Sequence, residues 1–261
     1  MIDIHCHILP NIDDGSDDSG KSIQQLRRME EGGVSQVFLT SHYFRGHYHY
    51  SRADYDSKLS LLQTEARHAG LNIQLHSGFE VFIQPGIIDD IKEKSLTLGQ
   101  SKYVLIESEL NGLPTDFYQN VYPLLRAGYK PILAHAERYV SIMKKPSRAR
   151  ELNDRDIYIQ TNAGSLIGHY GEKVRQTAWT LVNNGWTHFL ASDDHVRMDY
   201  GVYFEACDLL AQRIDAKTCN LLCHDFPKAI ALDEKIPYSY VIVHKSHHNH
   251  ESRPWYRRWF G

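Results

Sequence analysis

Short apolar runs alternate with longer mixed segments along most of this 261-residue chain. The runs at 2–5, 36–40, 73–77, 103–107, 131–135, 157–161 and 187–191 have the length and β-branched content of buried strands. Helical spacing of apolar residues predicts helices over 19–31, 53–69, 117–127, 147–153 and 172–184. Gly32-Gly33, Gly70, Gly128 and Gly185 fall just past the last periodic residues, where helices end. Seven repeats of strand and helix imply parallel strands joined by right-handed crossovers. The pattern therefore predicts an α/β fold, a single-domain distorted (β/α)7 barrel, with no internal repeat or linker. Residues 217–222 look helical, and beyond Pro237 the alternation stops.

In parallel α/β folds functional residues gather where strands end. The first run delivers His5 and His7, two apart and so on one face of a strand. Asp13-Asp14-Gly15 follows. The later runs lead into Thr40-Ser41-His42, Gly78-Phe79-Glu80, Glu107, His135-Ala136-Glu137-Arg138, Thr161-Asn162 and Ser192-Asp193-Asp194-His195. Imidazoles and carboxylates are costly to gather in a buried place unless paired or bound to metal. A mixed His/Asp/Glu set without cysteine suits zinc, manganese or iron. There are more candidate ligands than one ion can use, so two or three ions are expected, the apparatus of hydrolysis at phosphorus. Glu137 is expected to face away from the cluster, and Asp13 and Asp194 to cap turns or support the ligands. Tyr43, His47, Tyr48, His49 and Tyr50 either frame a substrate ring or cover the barrel mouth.

Composition narrows the setting. Hydrophobic residues make up 42% and charged ones 23%, which is globular, and the net charge of −3 predicts no bulk affinity for nucleic acid. With no long apolar run and no basic-then-apolar start, neither a membrane span nor a signal peptide is expected, and the chain is placed in the cytoplasm. Of the four cysteines, Cys6, which lies between the two histidines, should point away from them into the core. Cys207, Cys219 and Cys223 read as reduced thiols in a helical setting, since Cys219-x-x-x-Cys223-His224 has no second ligand pair at zinc-site spacing. The chain divides into a catalytic domain, 1–237, and a basic, aromatic, histidine-rich extension, 238–261. That extension either packs on the barrel or anchors to an anionic membrane face or a partner protein. The oligomeric state is not legible.

The ordered series H-x-H, D-D-G, T-S-H, G-x-E, I-E, H-x-E-R and S-D-x-H resembles the polymerase-and-histidinol-phosphatase (PHP) superfamily. More narrowly, Met-Ile-Asp-Ile-His-Cys-His-Ile, Asp13-Asp14-Gly15, Thr40-Ser41-His42, His135-Ala-Glu-Arg138-Tyr139 and Ala191-Ser192-Asp193-Asp194-His195 resemble the manganese-dependent protein-tyrosine phosphatases encoded with bacterial capsule and exopolysaccharide genes. The likeness spans residues 1 to about 235. It implies a PHP-type barrel with three metals at the C-terminal strand ends: one held by His5, His7, Glu80 and Asp193, a second by Glu80, Glu107 and His135, a third by Asp14, His42 and His195. Mn²⁺ is the implied ion, with Fe, Zn, Co or Mg as alternatives. Arg138 matches the phosphate-binding arginine of H-x-E-R-Y, and Arg45 a basic position after T-S-H. Arg197 stands near the place of a further arginine, in a shifted register.

The implied reaction is hydrolysis of phosphotyrosine, on a bacterial tyrosine autokinase controlling polysaccharide synthesis, by a hydroxide bridging two ions. Arg138 and the third ion would neutralise the phosphoryl oxygens. A general acid, if one is used, would be His42 or a water near Asp14. The competing readings are a small-molecule phosphatase such as histidinol-phosphate phosphatase, a PHP-type nuclease, and a catalytically silent binding module.

Overall fold

The computed structural model describes residues 1–197, 199–240 and 242. Its strands are β1 (Ile2–Cys6), β2 (Gln36–Tyr43), β3 (Gln74–Phe82), β4 (Tyr103–Glu107), β5 (Lys130–Leu133), β6 (Tyr158–Asn162) and β7 (Phe189–Ala191). They lie side by side in chain order, each parallel to the next. A parallel bridge between Cys6 and Asp194 joins the last strand to the first. There His7 N–H donates to Asp194 O (2.7 Å) and Asp193 N–H to His5 O (2.8 Å). The sheet thus closes into the expected barrel, with a seam only a few bonds long. The histidine-rich stretch 244–261 lies outside the described residues, as does the anchoring role considered for it.

The helices surround this barrel: α1 (Ser19–Glu31), α2 (Arg52–His68), α3 (Ile87–Lys94), α4 (Phe117–Arg126), α5 (Val140–Lys144), α6 (Arg148–Asn153), α7 (Ala163–Leu166), α8 (Glu172–Asn183), α9 (Gly201–Arg213), α10 (Ala216–Asn220) and α11 (Phe226–Ala231), with a π-helical turn at Leu221–Asp225. Local chemistry sets their starts. Asp18 accepts from Lys21 N–H at the head of α1, and Ser51 and Asp54 form a reciprocal capping box on α2. The sequence reading omits α9, although its buried Tyr203, Ala206, Cys207 and Leu210 recur with helical spacing. It also omits α3, which is short and starts from a left-handed Gly86.

Two strands run further than their apolar cores suggest, and the extra length builds the site. β2 and β3 pair without interruption from Gln36↔Gln74 to Tyr43↔Val81, which sets His42 directly beside Glu80. On the other side Phe82 pairs with Glu107. Because side chains alternate along a strand, Glu80 and Phe82 share a face, and Glu107 is carried to the same side as Glu80. β5 is shorter than expected: it stops at Leu133, and His135 lies beyond it in the left-handed region (φ 34°, ψ 49°). Asp193 is left-handed too (φ 54°). Such backbone is unfavourable for non-glycine residues and concentrates at functional sites.

At the opposite end of the barrel, buried His188 precedes β7. Its Nδ1 accepts from Ile159 N–H (3.2 Å), which fixes the tautomer and lets Nε2–H donate to Tyr238 O (3.2 Å). Burial pushes its pKa down from 6.5 to about 4, the Tyr238 carbonyl opposing. Above pH 6.5 the ring is neutral in both folded and unfolded chains. Below it, the unfolded chain takes a proton that the folded ring refuses, so stability falls as pH drops from 6.5 towards 4. Between pH 7 and pH 5 urea denaturation should show the wild type losing about 2 kcal/mol more than His188→Gln, which keeps both hydrogen bonds but does not titrate. Equal losses in the two proteins would remove His188 from this account.

Candidate metal centre

The strand ends bring together all nine residues singled out as metal ligands. Ligand atoms of His5, His7, Glu80 and Asp193 lie within 4.8 Å of one another; so do those of His7, Asp14, His42 and His195, and those of His42, Glu80 and Glu107. His135 adjoins the last group, with Nε2 2.8 Å from Glu80 Oε1 and 3.9 Å from Glu107 Oε2. These spatial groups stand beside the three ligand sets that the resemblance implies. Two differences follow from geometry: His7 stands between two groups, and His42 reaches both Glu107 and Asp14.

Glu80 is the centre. It is fully buried, and three imidazole nitrogens surround its Oε2: His5 Nε2 at 3.2 Å, His42 Nδ1 at 3.2 Å and His7 Nε2 at 3.3 Å. None is aligned as a hydrogen bond to that oxygen. His5 Nε2 and His7 Nε2 face each other at 3.1 Å. Nitrogen lone pairs converging on a buried carboxylate are repulsive unless a cation or added protons lie among them. Burial alone would lower the pKa of His5, but Glu80 and Asp193 drive it up to about 10. For His7, burial and His195 push down while Asp13 pulls up, and the result is about 9. Against burial, His5 and His42 hold Glu80 well below the usual carboxylate range. The hydrogen bond from His195 holds Asp14 far down. This surplus of negative charge and imidazole nitrogen, with an orphaned carboxylate oxygen at its middle, is a donor set that divalent ions fit.

Supporting groups fix which nitrogen each ring presents. Gln160 Oε1 accepts from His5 Nδ1 (3.1 Å) and from His135 N–H (2.8 Å). Asp13 Oδ2 takes His7 Nδ1 at 2.8 Å and His42 N–H at 2.9 Å. His195 Nδ1 is held on Asp193 O at 3.0 Å. In all three rings Nε2 is left for the centre, the arrangement by which carboxylates and carbonyls orient metal-binding imidazoles. Asn162 Nδ2 donates to Asp193 Oδ2 (2.7 Å), and Asp194 turns away to Gln25 and Val196 N–H. Glu137 faces away, buried on Ser165 Oγ and Asn162 N–H. Gly15 allows the Asp13-Asp14 loop to approach: a Cβ there would stand 1.8 Å from His7 O.

Two supporting residues escape the sequence reading. Gln160 and Asp3 are fully buried polar side chains within strands β6 and β1. Asp3 accepts from Ser192 Oγ (2.5 Å), Tyr200 O–H (2.9 Å) and His5 N–H (3.2 Å), tying β1 to the loop of Asp193. For Asp3 the available signal was a charged residue between two apolar ones in a short buried strand.

The three arginines part company. Arg138 lines a cavity of about 390 Å³ above the cluster, its Nη1 3.1 Å from Asp193 Oδ2 and its guanidinium 4.6 Å over the Tyr170 ring. Arg197 stands at the rim, 3.0 Å from Asp14 Oδ2. Arg45 is not brought to the cavity: it bonds Asp90, Pro85 O (2.9 Å) and Gly86 O (2.8 Å). Its closeness to His42 in sequence misleads because the chain turns away after β2. From the same loop Tyr48 stacks on His42 (5.3 Å, 6°), and Tyr50 O–H donates to His42 O (2.6 Å). Leu110, Ala163, Val202 and Tyr170 give the cavity an apolar wall.

This geometry has counterparts among known proteins. The tyrosine-protein phosphatase YwqE of Bacillus subtilis is 34% identical over 196 residues, 75% of this chain and 77% of that one. The tyrosine-protein phosphatase CpsB of Streptococcus pneumoniae is 28% identical over 243 residues, 90% of this chain and 100% of the other. A crystal structure from the work on these two proteins, described as metal-dependent tyrosine phosphatases, superposes with a TM-score of 0.85 at 29% identity, covering 92% of this chain and 100% of that one. A histidinol phosphate phosphatase of Lactococcus lactis shares the fold (TM-score 0.55, 13% identity, 81% of this chain and 94% of that one). The family model for capsular polysaccharide synthesis, CpsB/CapC, matches residues 1–231, and the chain belongs to that family.

Proposed function

We propose that this chain is a metal-dependent protein-tyrosine phosphatase. The observation that carries the reading is the buried Glu80 carboxylate with three imidazole nitrogens around one oxygen, beneath a cavity that offers an arginine. His5, His7, Glu80 and Asp193 are assigned to one ion, Glu80, Glu107 and His135 to a second, and Asp14, His42 and His195 to a third. Mn²⁺ is the proposed ion, a choice supported by a donor set of imidazole and carboxylate without thiolate. Bound there, such ions supply Lewis acidity and lower the pKa of a water nucleophile.

The chain's own residues do the rest. The Arg138 guanidinium binds the phosphoryl oxygens, and Tyr170 beneath it and Asp193 beside it hold its plane. Leu110, Ala163 and Val202 offer apolar surface to an aromatic leaving group, which favours a tyrosyl ester over a charged small molecule. Arg197 closes the rim and is available to the peptide or to phosphate. The departing phenolate is a good leaving group that needs little help; if a general acid is used, a water beside Asp14 is available, or His42 where it is not holding the ion. The proposed substrate is the phosphotyrosine of a bacterial tyrosine autokinase governing polysaccharide synthesis, in the cytoplasm. The family's link to capsular polysaccharide synthesis supports that choice. Among the described residues no helix is long and apolar enough to cross a membrane.

Metal-stripped protein should not hydrolyse a phosphotyrosine peptide, and added Mn²⁺ should restore turnover in the wild type but not in His135→Ala. Faster turnover of histidinol phosphate or single-stranded DNA than of the peptide would overturn the substrate assignment. Arg138→Ala should lower kcat/KM about 10²-fold, with Arg138→Lys recovering only part because an ammonium lacks the fork. Unchanged steady-state kinetics in Arg138→Ala would place the phosphate elsewhere. Asp13→Asn should weaken metal affinity about 10–100-fold, read as the Mn²⁺ concentration giving half-maximal activity, since it slackens the hold on His7 Nδ1.

A further inference from the structure

Three cysteines from two helical stretches, α9 and the run of α10 into the π-helical turn, meet beneath the barrel. Cys207 comes from α9, Cys219 from α10 and Cys223 from the π-helical turn, and their sulphurs lie within 4.8 Å of one another. Cys207 Sγ is 3.6 Å from Cys223 Sγ, and Cys219 Sγ is 3.4 Å from Cys207 O. None of the three lines the cavity over the candidate metal centre. Cys207 and Cys223 lie near enough to the Met1 amino group to influence its protonation, at the other end of β1 from His5 and His7. The trio is therefore spatially separate from the phosphatase chemistry.

The geometry suits a cation better than a disulfide. A disulfide brings two sulphurs to about 2.05 Å and leaves the third unused. A tetrahedral zinc site with Zn–S of about 2.3 Å places its sulphurs about 3.8 Å apart, close to the observed Cys207–Cys223 separation. The π-helical turn at Leu221–Asp225 is a second indication. Such turns are rare, are frequent at functional sites, and here interrupt the helix at the point where Cys223 joins Cys219 and Cys207. Cys207 and Cys223 are buried while Cys219 is half-buried, which leaves a route to solvent on one side. Within the trio one thiol gives up its proton first: hydrogen bonds from Cys207 and then Cys223 hold the Cys219 thiol down to about 4, against burial, while Cys207 and Cys223 are pushed up and would lose theirs only to the cation. Sequence spacing hides the site because the third thiol comes from α9 rather than from a second paired motif.

We propose that Cys207, Cys219 and Cys223 form a three-thiolate site for one thiophilic d¹⁰ cation, with Zn²⁺ as the reference ion and the fourth position open to solvent. Binding forms three metal–sulphur bonds and releases the thiol protons to water. Soft thiolates distinguish this site from the imidazole and carboxylate centre at the other end of the barrel.

The test uses the full chain, reduced and freed of metal, titrated with Cd²⁺ while thiolate-to-cadmium charge-transfer absorption is recorded. Imidazoles and carboxylates give no such band. The expected result is a band that saturates at one equivalent per chain, also appears when Cd²⁺ displaces bound Zn²⁺, persists in His135→Ala and is lost in Cys207→Ser/Cys223→Ser. Mass spectrometry after alkylation of the wild type covers the event that the serine variant does not fold. There Zn²⁺ should protect Cys207, Cys219 and Cys223 together, and a chelator should expose Cys219. No charge-transfer band in the wild type, a band that survives the double substitution in a folded protein, or a Cys207–Cys223 disulfide formed in the presence of Zn²⁺ would each overturn the proposal.

Discussion

The cost of burying Glu80 organises this molecule. A carboxylate withdrawn from water must be met by positive charge, and the fold directs imidazoles at it from three strand ends at once, with His5 and His7 from β1, His42 from β2 and His135 just beyond β5. The neighbouring features follow from that demand. β2 and β3 keep an unbroken register so that His42 reaches Glu80, the chain leaves β5 in a left-handed turn so that His135 does, and Gln160 and Asp13 hold the rings by their other nitrogens. An apolar barrel could be built from the same strands with none of these devices. Their presence together points to a cation as the missing counter-charge.

Much of this architecture is legible in the chain. Parallel strands buried on both faces read as short apolar runs, and all seven were recoverable because a helix, usually stopped by glycine, follows most of them. The candidate ligands were legible for a related reason. A histidine or carboxylate at the end of an apolar run has nowhere to go but the barrel mouth, so position along the strand stands in for position in space. Residues as far apart as His5 and Asp193 could thus be placed at one barrel mouth without a contact map, while their division into ligand sets came from the family resemblance.

What escaped the sequence is what depends on direction rather than on order. Arg45 follows the T-S-H motif closely but turns to Asp90, because a loop leaving a strand is free to bend. Gln160 and Asp3 lie within strands, where side-chain alternation alone does not reveal a hydrogen-bond partner on a distant segment. The left-handed turns at His135 and Asp193 have no glycine to announce them. Nor could spacing reveal that Cys207 on α9 meets Cys219 and Cys223, since helices pack by face and not by interval.

The seam between β1 and β7 has a further consequence. Most strand pairs of the barrel are zipped along several residues, but first and last meet over a short bridge, and the residues of that bridge are the neighbours of His5, His7 and Asp193. The clasp of the ring and its chemical centre are therefore one object. Whatever draws His5 and Asp193 together also holds the two ends of nearly the whole chain in place, where the entropy of closing a long loop must be overcome. In such a molecule affinity at the centre and integrity of the barrel are not separate properties, and selection on one acts on the other.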